Sequence, residues 1–274
     1  VSQDLHIATT GDEFGLGCNV PEEFPVGGPA VPFKVLTLDQ IRSKLAGKPS
    51  FYGRRKLFDL SWNSNQRTTN ACNGHATARS LSRSIYVKTG RKVLCSGADA
   101  YSQMNGNRDA GSSLVNGMEV VARGIATEEL VPWDHIFTRQ ISAEAKADRK
   151  NQIGFEPIPV DTEEELATGI LLGWFPVVAV QVDRSGRYER VDGDGVCTGD
   201  NGPGNHAVGI DDLRLNPTTY AIDFDQYGSW GDHVARTFLQ WNRHLRESVR
   251  NHRFWLLRSA LDDPRDQEPP AVSE

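Results

Sequence analysis

A glutamine amide six residues ahead of a lone cysteine constrains this chain more than any other feature. It lies in Asn65-Gln66-Arg67-Thr68-Thr69-Asn70-Ala71-Cys72-Asn73-Gly74-His75-Ala76. From Cys72 onward the positions Cys72, His75, Ala76, Leu81 and Ile85 recur at helical spacing, and Gly90 ends the run. A thiol at a helix N-terminus meets unsatisfied N–H groups and the positive end of the helix dipole, and both favour the thiolate. With Gln66 placed to hold a developing oxyanion, the pattern suits thiol acyl transfer. Taken alone, Cys72 also reads as an inert buried thiol, since unbridged cysteine is among the most buried residue types. The downstream Asn205-His206-Ala207-Val208 and Asp225, within Tyr220 to Gly228, reverse that weighing by supplying a base and an orienter in order.

Composition narrows the alternatives. The 274 residues carry 30 basic and 36 acidic side chains, a net charge of -6, which argues against a dedicated nucleic-acid binder. The longest apolar run, Gly169 to Val182, is interrupted by Trp174 and Pro176 and falls short of a membrane span. Cysteines at 18, 72, 95 and 197 include no C-x-x-C pair, so neither a zinc framework nor a disulfide-dense scaffold is indicated. Reduced cysteines are the plainer reading, with one or two bridges left open. The chain begins at Val1 without a methionine, consistent with a removed leader or trimmed numbering. Gly199 to Gly204 lacks the Gly-Lys-Ser/Thr ending of a phosphate loop, and Asp192-Gly-Asp-Gly195 holds too few carboxylates for a calcium loop. Neither a metal nor an organic cofactor is expected.

The chain divides by character. Residues 1–57, rich in Gly, Pro and Glu, read as an extended arm that covers a cleft or docks on a partner. Within them Thr37 caps a short helix over Leu38 to Leu45. Residues 58–155 read as a helical lobe carrying the nucleophile, with a second helix over Val115 to Ala122 that stops near Gly124. The charged stretch from Ser142 to Asn151 reads as an exposed helix or loop. Residues 156–233 read as a β-rich lobe carrying the base, after a helix capped by Thr162, with strands at Phe175 to Val182, His206 to Ile210 and Thr219 to Phe224. Helices first and strands after predict an α+β chain of two lobes. Residues 234–274 interleave arginines with Phe238, Trp241, Phe254 and Trp255, then end in a Pro- and acid-rich tail expected to be disordered. The 234–260 part reads as a docking extension packed on the second lobe or on a protein partner.

The segment Asn65 to Ala76 resembles the nucleophile motif of papain-like cysteine proteases, in which Asn-Gln precedes the cysteine at this spacing. The resemblance implies a two-lobe fold with the active site in the cleft between a helical and a β-rich lobe. It makes Cys72 the nucleophile, Gln66 and the Cys72 N–H the oxyanion donors, and His206 the base. It sets Asp225 at the orienting position and Tyr227 on a shielding aromatic. An alternative match through Gly228-Ser229-Trp230-Gly231 leaves glycine at the orienting position. Asp109-Ala-Gly111-Ser-Ser113 is similar to the segment that pairs with the substrate backbone. Gly111, Asn73, Tyr227 and Trp230 are therefore the expected substrate-binding residues. His75, three residues from Cys72, is the rival base, but a shared helix rarely aims its ring at the sulfur.

Thr69 stands where the family usually carries a disulfide cysteine, Asn73 where it has an aromatic, and the first 57 residues are short for its common inhibitory segment. These departures suit a divergent enzyme, viral or microbial and in a reducing compartment rather than a lysosome. The expected activity is a cysteine endopeptidase acting on peptides or proteins through a Cys-His-Asp triad. The alternatives are a thiol amidase or isopeptidase on the same scaffold, and a catalytically retired structural or assembly protein.

Overall fold

A computed structural model describes residues 18–19, 33–53, 60–62, 64–67, 69–106, 108–132, 141–152, 154–182, 191–198, 204–228 and 237–259. Three helices begin with the same device. Thr37 opens α1 (Leu38–Leu45), Ser113 opens α4 (Leu114–Arg123) and Thr162 opens α6 (Glu163–Leu171). In each, the cap hydroxyl accepts the N–H three residues on, while that residue's side chain accepts the N–H of the cap. A cap of this kind contributes about 1 kcal/mol and fixes where the helix starts.

Helix α2 (Cys72–Thr89) starts differently, because its N-cap is Ala71 and makes no side-chain bond. It ends where Gly90 takes a φ of 69°, a left-handed cap that glycine adopts without strain. Helix α3 (Gly97–Asn105), absent from the sequence expectation, is capped by Ser96 and packs against α2. Small residues permit the approach: a Cβ on Gly74 would press on the α3 backbone, and one on Gly97 would overlap the His75 ring. Helix α5 (Ala143–Asp148) and a 3-10 turn (Arg149–Gln152) close the first lobe. Arg149 donates its Nε to buried Asp99 Oδ2 at 3.0 Å, and the Ala126 N–H shares that oxygen at 2.9 Å.

The second lobe is a six-stranded antiparallel sheet in the order β1 (Phe155–Val160), β6 (Phe254–Ser259), β2 (Pro176–Val182), β3 (Gly204–Leu215), β4 (Ile222–Tyr227), β5 (Thr237–Gln240). Between β5 and β6 come a π-helical turn (Trp241–Leu245) and α7 (Arg246–His252). Residues 237–259 are thus part of the sheet lobe and not an extension docked onto it. β6 lies between β1 and β2 with Phe254, Leu256 and Leu257 buried. A strand covered on both faces reads as a continuous apolar run, which hides its strand character. The tail after Ser259, expected to be disordered, lies outside the described residues. No disulfide links the four cysteines. No described helix is long and apolar enough to cross a membrane.

Candidate active site

Helix α2 lies along the sheet and is fastened to it at several heights. Ser80 Oγ donates to the Pro176 carbonyl at 2.7 Å, at the start of β2, and sits 3.1 Å from the Tyr227 hydroxyl on β4. That hydroxyl also donates to the Ala76 carbonyl at 3.4 Å. Farther along, Arg83 Nε meets Asp211 Oδ2 on β3 at 2.9 Å, with neither side chain exposed to solvent. Tyr227 pairs with Gly209, so helix and strand advance together, with 76 and 80 near the level of 209 and 83 beside 211. Stepping back from the ion pair, eleven helical residues at about 1.5 Å each reach Cys72 after roughly 16 Å. Five strand residues at about 3.3 Å each reach His206 after roughly the same distance. The two expected catalytic residues therefore come level at one end of the interface between the lobes.

The segment Cys18–Asn19 passes through this end. The Cys18 N–H donates to the Asn205 carbonyl at 3.3 Å, next to His206. On the other side the Asn19 N–H donates to the Ser112 carbonyl at 2.9 Å, forming a parallel bridge of Cys18 with Ser112, and Asn19 Nδ2 donates to the Ala110 carbonyl at 3.2 Å. Cys18 Sγ lies 4.0 Å from His252 Nδ1 at the end of α7. Burial pushes the Cys18 thiol well up, and the charge of nearby Cys72 adds to the rise. Cys18 and Asn19 are thus hydrogen-bonded to both lobes, and Cys72, His206 and Cys18 are all buried beneath the surface.

Burial alone pushes His206 down to about 3, so its imidazole is neutral in this closed arrangement. Gln66 is buried in the loop before α2, with Nε2 donating to the Thr69 carbonyl at 2.8 Å, while Thr69 Oγ1 donates back to the Gln66 carbonyl at 2.6 Å. Arg67, left-handed at φ 51°, bends the chain between them. Gly111 has a φ of 68°, which a side chain would strain, and its N–H donates to Tyr101 Oη at 3.0 Å. His75 is packed, with Nδ1 2.9 Å from Ser64 Oγ and the ring against Gly97, and burial followed by the Arg79 charge lowers it to about 3. It is a core residue, not the base.

Three expectations need correction. Asp225 pairs with Asp212, six positions along β3 from His206. At about 3.3 Å per residue that is roughly 20 Å, against the roughly 3 Å a hydrogen bond to the imidazole requires. Asp225 therefore does not orient His206. Carrying the register one step past Gly209–Tyr227 sets Gly228 opposite Val208, two positions from His206. The strand register thus favours the alternative match, in which the orienting position has no side chain. Tyr227 is buried against α2, and Asn73 is buried with its amide committed to Ser112 and Ser113; neither lines a substrate surface. Trp230 lies outside the described residues.

The sequence expectation gave no site role to Arg83, Asp211, Tyr101, Cys18 or His252. Arginines at 79 and 83 among the alanines and serines of α2 were the available signal, because a buried guanidinium needs a carboxylate. Among the described residues no group of three His, Cys, Asp or Glu side chains is arranged to hold a metal ion.

No protein-family model matches this sequence, and neither does any curated protein. Solved structures do match its fold. Xylellain, a cysteine protease from Xylella fastidiosa, superposes with a TM-score of 0.66 at 16% identity, over 90% of this chain and 97% of that one. Procathepsin B S9 from Trypanosoma congolense gives 0.58 at 16% identity, over 94% and 90%. The ragweed pollen allergen Amb a 11, a cysteine protease in its proform, gives 0.58 at 19% identity, over 88% and 70%. The chain has the papain-like cysteine protease fold, α+β with a helical and a β-rich lobe.

Proposed function

We propose that this protein is a cysteine endopeptidase held closed by its own N-terminal arm. The observation that carries the reading is the crossing of Cys18–Asn19 between Asn205 and Ser112. It indicates that the cleft beside Cys72 and His206 accepts an extended backbone through main-chain hydrogen bonds on both sides. Two of the matched structures are themselves described as proforms, which is in keeping with a covered cleft.

With the arm displaced, His206 takes the Cys72 thiol proton, the thiolate attacks a peptide carbonyl, and the oxyanion is held by the Cys72 N–H and the Gln66 amide. His206 gives its proton to the leaving amine as the C–N bond breaks, leaving a thioester. It then takes a proton from water, whose hydroxide attacks the thioester and releases the acid and Cys72. The covered cleft also favours a second reading, a retired peptidase whose arm never leaves. A thiol amidase or isopeptidase would share the same chemistry on a different substrate.

Limiting iodoacetamide at pH 6, with peptide mapping, tests the reading on the native chain and on protein in which the arm has been displaced by the substitution Cys18→Arg. Fast modification confined to Cys72 and slowed by His206→Ala supports an activated thiolate. Cys72 labelling no faster than Cys95 or Cys197 in both proteins would leave retirement as the better account. Cleavage of peptides but not of small amides or isopeptide-linked substrates separates the remaining pair.

A further inference from the structure

Two asparagines flank the nucleophile, and both reach to one neighbouring segment of the same lobe, 109–113. On one side of Cys72, the Asn70 N–H donates to Asp109 Oδ1 at 2.8 Å and Asn70 Nδ2 points to the Asp109 carbonyl at 3.5 Å. On the other side, Asn73 Nδ2 donates to the Ser113 carbonyl at 2.6 Å and to Ser112 Oγ at 3.1 Å. Behind them Tyr101, almost wholly buried, donates its hydroxyl to the same Asp109 oxygen at 2.9 Å and accepts the Gly111 N–H at 3.0 Å.

The segment Asp109–Ser113 lies outside the helices and the six-stranded sheet, tied at its end by the Ser113 cap of α4 and at its outer edge by the Cys18 bridge. Ordering free backbone costs about 1–2 kcal/mol per residue, and hydrogen bonds from the side bearing Cys72 help to offset that cost here. The outer edge of the same segment carries the Ser112 and Ala110 carbonyls that receive Asn19. Its inner side is therefore tied to the turn bearing Cys72, and its outer side holds whatever extended chain lies in the cleft.

We propose that Asp109 and Asn73, with Tyr101 behind them, are positioning residues that lock the backbone edge at Gly111–Ser112 to the turn carrying Cys72. The inference rests on the peptidase reading and adds to it a reason why nucleophile and bound backbone share one rigid frame. A misplacement of about 1 Å between reacting groups is enough to cost orders of magnitude in rate. Asp109 is the most telling member, because a single carboxylate oxygen receives both the Asn70 N–H and the Tyr101 hydroxyl. Its exposed position also allows substitution without a buried vacancy.

Hydrogen exchange of the full chain, read without substrate, tests the lock in Asp109→Ala, in Asp109→Asn, which keeps an acceptor oxygen, and in Arg108→Ala as a neighbouring control. Asp109→Ala is expected to speed exchange about tenfold in 69–73 and 109–113 together, with Leu81 to Ile85 in α2 unmoved. Asp109→Asn should restore most of the protection, and Arg108→Ala should match wild type. Exchange that rises only within 109–113, or in neither segment, would overturn the lock, as would Asp109→Asn behaving like Asp109→Ala. On extended peptides, in the arm-displaced Cys18→Arg background, Asp109→Ala should lower kcat about tenfold with KM raised less than threefold; an unchanged kcat also counts against the lock. A Cys18→Arg protein that labels as arm-displaced yet cleaves no peptide refutes the peptidase reading, while the exchange pattern still decides the lock.

Discussion

Arg83 and Asp211 form an ion pair from which solvent is excluded, 2.9 Å apart, and the Arg83 guanidinium lies 3.6 Å from the centre of the Tyr227 ring. Arg83 lies on the helix that begins at Cys72 and Asp211 on the strand that carries His206, so the pair sets the height of Cys72 relative to His206. Removing one side of such a pair leaves a buried charge without compensation, at a cost of about 3–5 kcal/mol. Asp211→Ala is expected to lower Tm by roughly 10 °C. A double change to apolar residues, Arg83→Met with Asp211→Leu, should recover much of it by calorimetry.

The arm should be displaceable at Cys18. Its thiol is buried within 4.0 Å of His252, leaving no room for a solvated cation. Cys18→Arg is expected to expel the segment, since a buried unpaired charge costs several kcal/mol. Cys72 alkylation should then rise at least tenfold over wild type. Unchanged Cys72 labelling would mean that the arm does not shield the sulfur.

Acid should open the same contact. Burial holds His206 near 3 in the closed arrangement and lowers His252 as well, whereas an imidazole released to water titrates near 6.5. The closed state therefore binds fewer protons than the open one between those values. Its advantage is complete above about 6.5 and is lost as pH falls toward 3. Each histidine freed on opening contributes about a tenfold shift per pH unit. Cys18 labelling, divided at each pH by the rate of the denatured chain, should climb steadily from pH 7 to pH 5. A flat ratio would show that neither imidazole is released with the arm.

Asp225 provides a clean negative. Because it faces Asp212 and not His206, Asp225→Asn is expected to leave the rate and pH profile of Cys72 alkylation within twofold of wild type, while His206→Ala slows it strongly. A profile altered by Asp225→Asn would contradict the strand register.

What could be read from the chain depended on how local the governing interaction was. Thr37, Ser113 and Thr162 act within one turn of their own position, and the helices they start were legible for α1, α4 and α6. Gly90 likewise marked the end of α2. Cys72 and His206 stood out by residue type, and what the structure adds is their placement at the N-terminal end of α2 and near the start of β3. Asp225 was misassigned because strand register rests on the turn over Asn216 to Ala221 and on the bulge between Ile210 and Asp212, and a shift of a few residues relocates every side chain. β6 was taken for a docking element because its partners, β1 and β2, lie far away in sequence and give it no local signature.

The place of β6 bears on how the protein is made. β1 pairs only with β6 among the described strands, Phe155 opposite Ser259, so the sheet stays open on the ribosome until nearly all of the described chain has emerged. The helical lobe, rich in local contacts, has time to settle first, whereas closure of the long loop back to β1 is slow. A nascent chain would thus carry its thiol well before it acquires a completed lobe to hold the imidazole. Translation order by itself would delay completion of the sheet lobe until the last strand slots in.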